Sequence, residues 1–261
     1  MFVAGIDIGS RGSKAVIMED SRMVSFSIRE TGPESAKTAR YTIDEALKGT
    51  GLSLKDMGYV VATGYGRILV PFAQADVSEI SCHARGAHWY FPAVRTILDM
   101  GGQDCKAINC DEKGRVTNFI MNDKCAGGTG RFLEVIADVL QVPLDEIGSL
   151  ALEASQDVAF STVCAVFAKS EALALARRGI PKSDILAGLH DAIAVRCLSL
   201  LKRVAIDKDF TVTGGISKNA GMMEKIKKRV GLEPVLAPDP QIIGALGAAL
   251  YAQEKAQGLM N

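Results

Sequence analysis

Apolar and polar positions along the 261-residue chain fall into short β-type runs in the first half and longer helical stripes in the second. Residues 1–9 (MFVAGIDIG) form a dense apolar run, 10–12 a tight turn, and 13–18 (SKAVIM) a return run. That pattern predicts a β-hairpin, not a strand leading into a helix. Ala36, Ala39, Ile43 and Leu47 recur at spacings of three and four, which predicts an amphipathic helix over about 33–47. Residues 58–63 (GYVVAT) read as a short buried strand and 78–90 as a helix. A second strand–glycine–strand unit follows at 96–100, 101–102 and 104–109. It continues through a turn at 111–114 into a strand at 116–121. Beyond it helices are predicted over 131–140, from Pro143 as a favoured first helical residue, over 164–178, and over 183–204. The last of these carries the stripe Leu186, Leu189, Ile193, Cys197, Leu200 and Val204. A strand at 210–213, a turn at Gly214-Gly215 and a helix over 217–230 come next. A final helix, 242–251, contains Gly244 and Gly247, where another backbone can come close.

The units near 5–18 and 97–109 repeat one another, which implies an α/β chain of two similar lobes. The expected division is residues 1–95 for the first lobe and 96–241 for the second, with 242–261 packing back on the first. A content of 48% hydrophobic and 23% charged residues is that of a globular chain able to bury a core. Thirty basic residues balance thirty acidic ones, a net charge of zero. That balance argues against a nucleic-acid partner and against a polybasic membrane anchor. No apolar stretch is long enough to span a bilayer and no secretion signal is read, so the expected compartment is the cytoplasm. The six cysteines include no CxxC pair, so core packing, reactive thiols or dispersed metal ligands are favoured over disulfides or a zinc knuckle.

Three segments carry candidate chemistry. Asp7, Gly9, Ser10, Arg11, Gly12 and Ser13 place a carboxylate at a strand end before a glycine-rich turn. The backbone N–H groups of such a turn can hold anionic oxygens, and the carboxylate can hold a metal ion through water. The plain alternative is a β-turn with a solvent-facing aspartate. Asp99, Gly101, Gly102, Gln103 and Asp104 repeat the grammar, with Gln103 or Asp104 available to orient an attacking water in phosphoryl transfer. The third segment, Thr213, Gly214, Gly215, Ser217, Lys218 and Asn219, is a strand, a glycine pair and a helix start, where an adenosine would lie. No P-loop or G-x-G-x-x-G fingerprint is present.

In this order the three segments resemble the phosphate-1, phosphate-2 and adenosine motifs of the actin/hexokinase/Hsp70 ATPase superfamily, and the Gly244/Gly247 helix resembles its second connecting helix. The resemblance implies a two-lobed fold with duplicated mixed-sheet lobes that binds ATP or ADP with Mg²⁺. Three further segments, 62–67 (ATGYGR), 124–132 (KCAGGTGRF) and 163–171 (VCAVFAKSE), are similar to the activator ATPases of 2-hydroxyacyl-CoA dehydratases and the related benzoyl-CoA reductase ATPase subunits. The resemblance runs over essentially the whole chain. Lys169 departs from it, standing where an acidic or amide residue is more usual.

What that resemblance implies is an ATP-dependent one-electron donor: a homodimer with one [4Fe–4S] cluster at its interface, held by Cys125 and Cys164 of both subunits. A ferredoxin or flavodoxin would load it, and an iron–sulfur dehydratase or reductase would receive the electron. The chemistry is consistent, since a cubane takes four thiolates, two such cysteines per chain need a second copy, and helix starts favour an anionic cluster. Cys82, Cys105, Cys110 and Cys197 are expected to pack, and His88, Trp89 and Tyr90 likewise. A small-molecule kinase or a cluster-free regulatory ATPase of the same fold are the alternatives.

Overall fold

In the computed structural model the residues described are 1–122, 128–156, 158–160 and 164–258. The chain opens with β1 (Phe2–Ile8), β2 (Gly12–Glu19), β3 (Arg22–Glu30) and α1 (Ser35–Leu47), followed by β4 (Tyr59–Thr63), β5 (Ala75–Asp76) and α2 (Glu79–Tyr90). The pattern then restarts with β6 (Thr96–Met100), β7 (Cys105–Cys110) and β8 (Val116–Asn122). Helices α3 (Gly130–Leu140), α4 (Ile147–Leu152), α5 (Ala165–Arg177) and α6 (Lys182–Val204) follow. The chain closes with β9 (Phe210–Thr213), α7 (Ala220–Val230) and α8 (Ile243–Ala256).

Two sheets result, with strand orders β3-β2-β1-β4-β5 and β8-β7-β6-β9. The duplication read from the sequence extends to individual pairs. Asp7 faces Lys14 across the antiparallel β1–β2 pair and Thr63 across the parallel β1–β4 pair. Asp99 faces Lys106 across β6–β7 and Thr213 across β6–β9. Where the first sheet pairs Val61 with Ala75 of β5, the second keeps a single parallel bridge from Thr211 to Val235. The fold class is the one expected: a duplicated, mixed-sheet α/β architecture.

Helices α2 and α8 pass between the two sheets and pack on one another, and α8 also lies on β1, β2 and β4. The predicted close approach at Gly247 is present: a Cβ there would fall 1.8 Å from the Cys82 carbonyl oxygen, and one at Gly86 would fall 2.2 Å from that of Ile243. Around the second sheet, the α6 stripe is buried as expected, alongside Phe132 and Ile136 of α3 and Met222 and Ile226 of α7.

Two predicted boundaries change and a strand was missed. Pro143 does not start a helix; the Glu146 N–H closes a turn on the Pro143 carbonyl, and α4 begins only at Ile147. The predicted helix 217–230 is interrupted, because the Asn219 side chain accepts from the Met222 N–H at 2.9 Å and caps α7 from outside it. Strand β3 was not read from the sequence. Its inward positions Ser25 and Ser27 donate to the α1 carbonyls of Ala46 and Thr42, both at 2.6 Å, while Phe26 and Ile28 face outward. Its apolar alternation therefore marks the exposed face.

Candidate functional site

Each predicted phosphate turn closes on itself in the same way: the Gly9 N–H donates to the Gly12 carbonyl at 3.1 Å, and the Gly101 N–H to that of Asp104 at 3.0 Å. The strand on the other side of each aspartate ends in a glycine at positive φ, Gly64 at 84° and Gly214 at 88°. A Cβ on Gly64 would meet Asp7 Oδ1 at 2.3 Å, and one on Gly214 the Met100 carbonyl at 2.4 Å and Asp99 Oδ1 at 2.9 Å. Only glycine fits there.

The two carboxylates are buried, 5% exposed for Asp7 and 3% for Asp99, so the solvent-facing reading of Asp7 does not hold. Lys14 Nζ donates to Asp7 Oδ2 at 3.0 Å and to the Gly12 carbonyl at 3.2 Å. Lys106 Nζ lies 3.3 Å from Asp99 Oδ2 and 2.7 Å from Asp104 Oδ2. The Thr213 hydroxyl donates to Asp99 Oδ1 at 3.1 Å, and His83 Nδ1 lies 2.9 Å from that hydroxyl oxygen. Burial works against the charge of Asp99, yet His83, Lys106, Thr213 and Lys14 together hold its carboxyl below the usual range. Burial likewise opposes the Lys106 charge, and Asp99 and Asp104 more than offset it, raising the ammonium above its ordinary value. At the cleft wall, partial burial and the neighbouring Asp104 carboxylate push the Tyr65 phenol up to about 12.

Asp7, Lys14, Tyr65, His83, Asp99, Asp104 and Lys106 line one cleft of about 1170 Å³, ample for a nucleoside triphosphate with a hydrated cation, given that pockets for drug-sized ligands measure roughly 300–1,000 Å³. Of the residues predicted from sequence, Asp7, Gly9, Ser10, Arg11, Gly12, Asp99, Gly101, Gly102, Asp104, Gly214, Gly215, Lys218 and Asn219 lie on its wall. Gln103 is exposed and does not line it. Ser13 and Ser217 serve the framework: Ser13 Oγ bonds Thr31 Oγ1 at 2.8 Å, and Ser217 donates to the Gly214 carbonyl at 2.6 Å. Lys14, Lys106, Tyr65, Glu79 and His83 line the cleft without having been predicted. Glu79 begins α2 and is held by Arg67, 3.3 Å away.

The cleft is spanned near the turns. Gly102 lacks a Cβ where one would fall 2.4 Å from the Arg11 stem, and Arg11 Nε donates to Glu134 Oε1 of α3 at 2.8 Å. The first N–H groups of α3 are tied to the second turn, Gly130 to the Gly101 carbonyl at 3.0 Å and Arg131 to that of Gly102 at 2.8 Å.

Among the five cysteines of the described residues, Cys82, Cys105, Cys110 and Cys197 are buried and Cys164 is exposed. Cys164 immediately precedes α5, which packs against α3. Cys125 lies outside the described residues, and no group of three or more metal-ligating side chains occurs among those that are described.

A duplicated β-sheet unit with paired carboxylate-and-glycine turns around one cleft defines an ATPase of the actin/hexokinase-like class. A glucokinase of the ROK family from Streptomyces griseus shares the fold at a TM-score of 0.60 and 17% identity, covering 97% of this chain and all of that one. Residues 4–252 match the BadF/BadG/BcrA/BcrD ATPase family, and the chain belongs to it. It is 45% identical to the activator of lactoyl-CoA dehydratase of Anaerotignum propionicum, over 98% of this chain and 99% of that one. The activator of the 2-hydroxyisocaproyl-CoA dehydratase from Clostridium difficile, solved with bound ADPNP, superposes at a TM-score of 0.95 and 39% identity, covering 99% of this chain and 97% of that one.

Proposed function

We propose that this protein is an ATP-dependent activator of a 2-hydroxyacyl-CoA dehydratase or a related iron–sulfur reductase. It delivers single electrons and works as a homodimer, with a ferredoxin or flavodoxin as donor. Residues 1–95 with the C-terminal helix form one lobe and 96–241 the other, with the nucleotide between them. The N–H groups of the turns after Asp7 and Asp99 hold the phosphates, and the segment from Gly214 to Asn219 holds the adenosine. Asp7 and Asp99 suit Mg²⁺ as hard oxygen donors, and Asp99 is held ionised. Asp104, which reaches the cleft, orients the attacking water; Gln103 stands at the outer edge of the same turn.

A [4Fe–4S] cluster would supply one-electron chemistry, with Cys164 and Cys125 as its ligands. The exposed thiol of Cys164 fits a ligand shared between subunits, and two such cysteines per chain require a second copy. The observation that carries the reading is the pair of backbone bonds from Gly130 and Arg131 to the second phosphate turn. They tie the nucleotide site to the start of α3, the helix that follows Cys125 in sequence by five residues. Nucleotide-dependent contacts at that turn therefore have a short covalent and hydrogen-bonded route to the cluster ligands. The test is ATP hydrolysis by Asp7→Asn and Asp99→Asn together with their iron content. Both variants are expected to lose hydrolysis and keep iron; wild-type turnover in both would overturn the nucleotide assignment.

A further inference from the structure

The adjacent residues Cys82 and His83 of α2 were left without a role by the sequence. In the fold they point to the two equivalent threonines of the duplicated site. The Cys82 side chain lies on the side of Thr63, next to Asp7, while His83 Nδ1 meets the Thr213 hydroxyl, next to Asp99. One helical turn thus serves both half-sites.

Of the two contacts, the one His83 makes with Thr213 is the hydrogen bond. Burial raises the Cys82 thiol well above its usual range, so it stays a neutral packing group. His83 is buried at 6% exposure, and its bond is determined by proton counting. The Thr213 hydroxyl has one proton, and it is donated to Asp99 Oδ1 at 3.1 Å. His83 Nδ1, 2.9 Å from the same hydroxyl oxygen, must then be the donor of that contact. Asp99 Oδ1 is fixed by this chain and Oδ2 by Lys106. On the far side of the ring, a Cβ on Gly244 of α8 would fall 3.0 Å from His83 Nε2 and 3.2 Å from Asp7 Oδ2. The imidazole therefore fills the space from Thr213 almost to the other carboxylate.

We propose that His83 is a positioning residue for nucleotide hydrolysis. Its Nδ1–H, donated to Thr213, fixes the Asp99 carboxylate and keeps the second half-site in register with Asp7. The proposal rests on the reading of Asp7 and Asp99 as the two sides of the nucleotide site. The glycine turns that hold phosphate do not depend on His83, so its loss falls on turnover, not on affinity.

The test compares His83→Asn, His83→Gln and His83→Ala for kcat and KM with MgATP, alongside Asp99→Asn, with thermal unfolding as the check on folding. The Asn amide nitrogen replaces Nδ1, whereas that of Gln replaces Nε2. Expected is a kcat within about threefold of wild type for His83→Asn and a fall of about tenfold or more for His83→Gln and His83→Ala. KM is expected to move by no more than about threefold in any of them. Full kcat in His83→Ala, an equal loss in all three, or a change confined to KM would overturn it. Should His83→Ala fail to fold, the Asn–Gln comparison decides alone. Unchanged turnover in Asp99→Asn would instead remove the reading of the site itself.

Discussion

Lys106→Met is the sharpest probe of the electrostatics that hold the second half-site. The ammonium is buried between Asp99 Oδ2 at 3.3 Å and Asp104 Oδ2 at 2.7 Å. At an effective dielectric constant of about 20 each contact is worth roughly 5–6 kcal/mol before desolvation is counted. Methionine keeps the stem and removes the charge, leaving two buried carboxylates with less compensation. Breaking a buried pair in this way costs about 3–5 kcal/mol. The pH dependence has a defined sign. In the wild type the lowered Asp99 carboxyl contributes stability that is present above the unfolded carboxylate range and lost as pH falls through its folded value. In Lys106→Met the Asp99 carboxyl loses a charge that holds it low and moves upward, so the folded state gains from taking up a proton and the deficit shrinks toward acid. Urea unfolding of both proteins at pH 8 and pH 5 is expected to show a deficit of about 3–5 kcal/mol at pH 8. About 1 kcal/mol or more of it is expected to be recovered at pH 5. A deficit below about 1 kcal/mol at pH 8, or one of equal size at both pH values, would refute the reasoning.

Gly214→Ala forces a Cβ to 2.4 Å from the Met100 carbonyl at φ 88°; it should lower stability by about 1–3 kcal/mol and weaken nucleotide binding, read by calorimetry with ADPNP. Wild-type affinity would contradict the placement of the adenosine segment. Cys164→Ser should abolish bound iron, and because the residue is exposed its melting temperature should match that of iron-free wild type. Cys197→Ser, whose Sγ lies 3.9 Å from that of Cys105 in the core, should do the reverse. Asp104→Asn should lower turnover more than Gln103→Ala does, in single-turnover hydrolysis assays; the opposite order would return the water-orienting role to Gln103.

Much of the site was legible because its grammar is local. A carboxylate at a strand end followed by glycines can be read twice from sequence, and both copies line the cleft. The lysines were legible too, by one further step. A hairpin turning at residues 9–12 pairs Asp7 with Lys14, and the same arithmetic on the second unit pairs Asp99 with Lys106. His83 and Glu79 could not be found that way, since α2 reaches the cleft only through its packing on α8 and between the sheets. Strand β3 escaped because its inward face is serine, chosen for hydrogen bonds to α1 and not for hydropathy. The interruption at Asn219 arose from a local side-chain cap that outcompeted a continuous helical pattern.

Iron and acid-labile sulfide measured against the mass of the native protein, purified without oxygen, test the central claim most directly. The account predicts close to four irons on a dimer, with the iron lost from both Cys125→Ser and Cys164→Ser. Four irons on a monomer, or full iron in either variant, would contradict it.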